Sequence, residues 1–162
     1  MKKCIIVALL LIGVHGVFAQ ESKLYNPTAD AAADVAAAIK KAAAEHKYVL
    51  IQGGGNWCGW CIEFARFCKA DKQIDSLVNS SFVWYHLNWS TDNQNKKVFT
   101  QLGYPQRFGF PVFIILNEKG ERIHIQNSEY LEDGKKSYSR EKVVAFLEMW
   151  TPRALNPAMY GD

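Results

Sequence analysis

Gly53-Gly54-Gly55-Asn56-Trp57-Cys58-Gly59-Trp60-Cys61 lies between an apolar run and a helical pattern, and its two cysteines decide how the chain reads. Two cysteines separated by two residues at a strand-to-helix junction point to a redox dithiol. At the first turn of a helix, free backbone N–H groups and the macrodipole favour negative charge, so a Cys58 thiolate is stabilised there. Only the thiolate attacks a disulfide, and in such motifs the thiol pKa falls well below its free value of about 8.5. Cys61, three residues further on, is placed to resolve the mixed disulfide that Cys58 forms.

Other uses of the pair fit less well. A structural staple closing so short a loop removes only roughly 2 kcal/mol of unfolded-state entropy. A zinc site needs two more ligands, and Cys68, His86 and His124 fit no ligand spacing. The three glycines complete neither a dinucleotide fingerprint nor a P-loop. They are expected to turn the backbone sharply out of a strand.

Outward from the motif, 48–52 is a short apolar run of the kind a buried strand shows. Upstream, Thr28-Ala29-Asp30 offers candidate caps for an alanine-rich helix that follows and runs to about His46, with Val35, Ile39, Ala42 and Ala43 on its packing face. Downstream, Ile62, Phe64, Ala65 and Cys68 form a helical face, and a short helix over 71–78 precedes a strand over 82–89. A helix over 92–102 ends at Gly103, and a loop over 104–110 leads to Pro111. The clearest strand is 112–116; it turns through Asn117-Glu118-Lys119-Gly120 into an antiparallel strand over 122–126. A polar surface loop over 127–139, an amphipathic helix over 140–150 stopped by Pro152, and an irregular tail over 152–162 complete the chain. Pattern alone supports a three-layer α/β domain.

Trp57-Cys58-Gly59-Trp60-Cys61 resembles the active-site signature of the thioredoxin superfamily, in which a Trp commonly precedes Cys-Gly-x-Cys. The resemblance extends to Lys47-Tyr48-Val49-Leu50-Ile51-Gln52 as the entering strand and to Gly109-Phe110-Pro111-Val112 as the family's cis-proline turn, covering roughly 29–150. It implies a mixed central sheet with helices on both faces and a C-terminal β-hairpin plus helix. It also implies a cis Phe110–Pro111 bond that sets the Phe110 backbone beside Cys58, ready to pair with an extended peptide. Trp57, Gly59, Trp60, Phe110 and Pro111 would then form a substrate groove, with Trp60 a partner contact. Trp60 stands where cytosolic thioredoxins carry Pro and disulfide isomerases His. Gln52 departs from the family, whose buried Asp at this position helps deprotonate the resolving thiol; Gln accepts no proton at neutral pH. His86, near the family's Lys, is a candidate base for a proton relay beside Gln52, against the plainer reading of a hydrogen-bonded strand histidine. Cys68 is expected as core filler, becoming a third relay thiol only if accessible.

The length of 162 residues suits one domain. Met1-Lys2-Lys3, an apolar run over 5–17 and a terminal Ala19 read as a secretory signal peptide cleaved near Ala19, with a retained anchor as the alternative. An extended lead-in over 20–28 would follow, then the domain over 29–151. Loss of Lys2 and Lys3 takes the formal charge from +3 to about +1, which leaves no basic footprint for nucleic acid. Cys58, Cys61 and Cys68 then remain, too few for a disulfide framework.

The resemblance therefore implies a monomeric thiol–disulfide oxidoreductase, exported to a bacterial periplasm or cell envelope. It would need no cofactor or metal, and would exchange electrons with substrate proteins and a redox partner protein, a membrane-bound one among the candidates. Reductase and oxidase directions stay open. The competing reading is a polypeptide-binding module whose disulfide stays closed.

Overall fold

The computed structural model describes residues 23–161. The expected signal segment over 1–19 and the first residues of the lead-in lie outside these.

Among the described residues, five α-helices and four strands follow in the order α1 (Ala31–Ala44), β1 (Tyr48–Gly54), α2 (Gly59–Ala70), α3 (Lys72–Ser81), β2 (Phe82–Asn88), α4 (Lys96–Gln101), β3 (Val112–Leu116), β4 (Arg122–Asn127) and α5 (Arg140–Met149). The sheet order is β2-β1-β3-β4. β2 runs parallel to β1, whereas β3 is antiparallel to both its neighbours. The period-two alternation of β1 divides the core. Val49 and Ile51 face α1 and α4, in a layer with Ala38, Ala42, Phe99 and Ile114. Leu50 faces α2, α3 and α5, in a layer with Phe64, Cys68, Phe113 and Leu147. This is the thioredoxin-like architecture of a mixed sheet with helices on both faces.

Local chemistry sets the element ends. Asp30 caps α1 by accepting from the N–H groups of Ala32 and Ala33, and Asp71 caps α3 through Gln73 and Ile74. Arg140 at the start of α5 donates to Asp71 and Gln73, joining α5 to the start of α3.

Several expectations change. On α1, Ala38 is buried and Ala43 faces solvent. The helix expected from 92 begins at Lys96, because asparagines upstream bond their own loop: Asn88 donates to the Asn93 carbonyl and Asn95 to the Asn88 carbonyl. The loop before Pro111 contains a 3-10 turn over Pro105–Phe108. The polar stretch over 127–139 is no simple surface loop. It carries a second 3-10 turn, Ser128–Leu131, and buries Leu131 and Tyr138 in the core beneath α2. The lead-in is not extended either: from residue 24 to 30 it bends and turns, and Tyr25 is fully buried.

Candidate active site

β1 delivers the chain to the start of α2, where Cys58 is the N-cap. Its extended backbone turns the sulfur back over the first turn, so Sγ accepts the Cys61 N–H at 3.2 Å. Cys58 and Cys61 form a disulfide with Cα atoms 5.2 Å apart. The two sulfurs are unequal: Cys58 keeps 5 % of its surface and Cys61 none. Reagents from solvent therefore meet Cys58 first. No acidic side chain occupies the first turn of α2 to offset the positive helix end.

The glycines serve a different purpose from the one expected. Gly53 and Gly54 continue β1, and none of Gly53, Gly54 and Gly55 has a left-handed φ. Their value is small size. A side chain on Gly54 would run into Cys61 Sγ and lie 2.8 Å from Tyr25 Oη, and one on Gly55 would strike the Trp57 ring and the Trp89 carbonyl.

Gly53 pairs with Val112, which brings the turn before β3 next to the end of β1. There the Phe110–Pro111 bond is cis, and Phe110 packs against the cluster formed by Tyr25, Cys58 and Cys61. Among the described residues, no loop hydrogen bond engages the Phe110 N–H or C=O. Trp57 stands 60 % exposed on the rim, held by a 2.6 Å bond from its Nε1 to the Trp89 carbonyl and edge-on against Phe110. Trp60 is half-buried. Its ring is partly buried edge-on against Tyr138, whose hydroxyl donates to the Trp60 carbonyl at 3.0 Å. Trp57 is thus the freer aromatic, while Trp60 is shared between core and rim.

A family model described as thioredoxin-like matches residues 30–118, more than half of the chain. The chain belongs to this thioredoxin-like family. No curated protein matches it. Among solved structures it is similar to a disulphide isomerase from Xylella fastidiosa Temecula1, at 21 % identity over 79 % of this chain and 96 % of that one, with a TM-score of 0.69. It is also similar to the C-terminal domain of DsbD from Neisseria meningitidis in its reduced form (19 % identity, 73 % and 95 % coverage, TM-score 0.54). A thioredoxin from Thermus thermophilus aligns at 17 % identity, 78 % and 88 % coverage, with a TM-score of 0.53. At these identities the likeness is one of fold.

Beneath the disulfide this thioredoxin-like protein has its own arrangement. Gln52 is fully buried, and its Nε2 donates to the Cys61 carbonyl at 2.8 Å, tying β1 to the first turn of α2. His86 lies across from Gln52 in the β1–β2 register, between the rings of Tyr25 and Trp84. It is not the hydrogen-bonded strand histidine of the plainer reading, since Nε2 is buried without a partner among the described residues. Burial, helped by the charge of Lys69, pushes its pKa down to about 4, so the ring is neutral at pH 7. Cys68 is fully buried, and burial pushes its thiol well up, so the access that a third relay thiol requires is missing. Tyr25 and Tyr138 had no signal beyond being aromatics in polar stretches.

The buried imidazole has a thermodynamic consequence. Its folded pKa lies below the unfolded value of about 6.5, so only the unfolded chain takes up a proton as pH falls between the two. Stability from this source is complete above about pH 6.5 and drains away towards pH 4. Between about pH 7 and pH 4.5 wild type is expected to lose on the order of 2 kcal/mol more than His86→Gln, read from urea unfolding at the two pH values. Equal losses would show that His86 titrates normally.

Proposed function

We propose that the protein is a thiol–disulfide oxidoreductase acting on partner proteins outside the cytoplasm. The observation that carries this reading is Cys58: a helix-capping sulfur, bonded to Cys61, that keeps some exposed surface while its partner keeps none, in a cluster against which Phe110 of the cis-proline turn packs. In the reduced protein the Cys58 thiolate attacks a partner disulfide, one partner sulfur leaves as thiolate, and a mixed disulfide forms. Cys61 then attacks Cys58 Sγ, the second partner sulfur leaves with the electron pair, and the 58–61 bridge closes. Run backwards, the same steps oxidise a dithiol. Phe110 supplies backbone hydrogen-bonding groups to an extended polypeptide, and Trp57, Gly59, Trp60 and Pro111 shape the groove around it. Gln52 holds Cys61 in place, and His86 brings no cation to the site at neutral pH.

Export rests on the basic-then-apolar start of the chain ending near Ala19. Among the described residues no helix is long and apolar enough to cross a membrane. A redox partner protein would supply or remove the electrons, and periplasmic or envelope proteins with disulfides or dithiols would be the substrates.

In a Cys61→Ala variant the mixed disulfide cannot be resolved. Expressed in the native host, it is expected to accumulate covalent adducts that dissolve on reduction, with Cys58 joined to partner peptides by mass spectrometry. An absence of adducts would overturn the reading. The near-complete burial of both sulfurs favours one rival, a binding module whose bridge never opens. A bridge with a potential below about −300 mV, and no alkylation of Cys58 after mild reduction, would select it.

A further inference from the structure

Gln52, buried beneath Cys61 and bonded to its carbonyl, is an amide and takes no proton from the resolving thiol. What the fold brings to Cys61 instead is the lead-in segment. Asn56, just before the dithiol, accepts the Tyr25 N–H at 3.0 Å and donates to the Tyr25 carbonyl at 2.7 Å, gripping that residue by both backbone groups. Two residues on, the Pro27 carbonyl accepts from Asn93. The segment is thereby pinned across the site, and the Tyr25 side chain is driven inward until it is fully buried against Cys58 and Cys61.

The hydroxyl at the end of that ring is unusual. Tyr25 Oη lies next to the Gln52 side chain, which works against the effect of burial on the phenol, but it makes no hydrogen bond of good geometry among the described residues; Gln52 Oε1 and His86 Nε2 are likewise buried without partners. A buried phenol left unpaired costs about 1–3 kcal/mol. Gly54, which has no side chain, is the surface that Oη and Cys61 Sγ both approach. In the closed bridge that sulfur is a poor acceptor; as a thiolate it is a strong one.

We infer that Tyr25 is a positioning residue whose O–H donates to the Cys61 sulfur whenever the bridge is open, holding the buried resolving thiolate in place. This rests on the oxidoreductase reading. When an external thiolate attacks Cys58 Sγ, the Cys58–Cys61 bond breaks and Cys61 departs with the electron pair, stabilised by the Tyr25 O–H. In the closing direction Cys61 attacks Cys58 Sγ, the partner sulfur leaves with the pair, and the proton of the Cys61 thiol ends on the released partner thiol. Tyr25 keeps its own proton throughout, as its burial requires: desolvation raises its pKa far above the ordinary phenol value. The other groups facing this corner are the His86 imidazole and the Tyr138 phenol, with Lys69 and Glu63 of α2 and Glu132 the charges acting on them.

The test uses the reduced full chain with carbon-labelled cysteine, reading the Cys61 Cβ shift by NMR against pH in wild type and Tyr25→Phe. Loss of a donor to a thiolate is expected to raise the Cys61 pKa by about one unit or more and to slow resolution of a mixed disulfide about tenfold. An unchanged Cys61 titration in a folded Tyr25→Phe overturns the proposal. If that variant does not fold, a fluorinated tyrosine placed at position 25, similar in shape and a stronger donor, must lower the Cys61 pKa; an unmoved value overturns the proposal equally. The titration needs no turnover. A protein that shows the shift yet traps no partner refutes the enzyme reading and leaves the Tyr25–Cys61 contact standing.

Discussion

Cys58→Ser is expected to reduce insulin-reduction and dithiol-oxidation activity to the uncatalysed background while leaving the fold intact. The serine oxygen can still cap α2 and accept the Cys61 N–H, because hydroxyls are good N-caps. What it cannot do is ionise near neutral pH or form a bond to sulfur. The variant therefore separates structural from chemical roles at one atom. Its circular dichroism and thermal midpoint should stay close to those of the reduced wild type. Undiminished activity would remove Cys58 as the nucleophile, and Cys61, with no exposed surface, is poorly placed to replace it.

Gly54→Ala has the next largest expected effect. The added methyl would meet Cys61 Sγ on one side and the Tyr25 hydroxyl and ring on the other. Neither can easily give way: the sulfur is bonded to Cys58, and the tyrosine is gripped through its backbone by Asn56. Overpacking of this kind costs about 3 kcal/mol at such a site. The same displacement should slow disulfide closure more than tenfold, because the attacking sulfur is the atom pushed aside. Urea unfolding and stopped-flow reoxidation of the variant read the two effects separately. Near-wild-type values in both would mean that the corner is roomier than the packing indicates.

The features legible in the sequence are those written in short-range pattern. The runs of Val112–Leu116 and of β1, the amphipathic α5 and the Cys58–Cys61 spacing each carry their signal within a few residues. Structure departs from pattern where side chains compete with the backbone or where partners are remote. The asparagines around α4 bond their own loop and delay the helix to Lys96, against a periodicity that begins at 92. Gly53 and Gly54 look like a turn in isolation, yet strand pairing with Val112 and Asn88 keeps them extended. Tyr25 meets Asn56 across 31 residues, and Tyr138 meets Trp60 across 78. No local pattern foretells either meeting, although Tyr25 covers the inner side of the dithiol and Tyr138 supports the Trp60 beside it.

The grip of Asn56 on Tyr25 also bears on where this domain can be cut. Among the described residues regular structure begins at Ala31, and an excision made there would look harmless on a map of helices and strands. It would take away a plug, leave Cys61 facing an unfilled hollow, and expose the inner sulfur to reagents that normally reach only its neighbour. Fragments trimmed at that point would report the redox behaviour of a different protein.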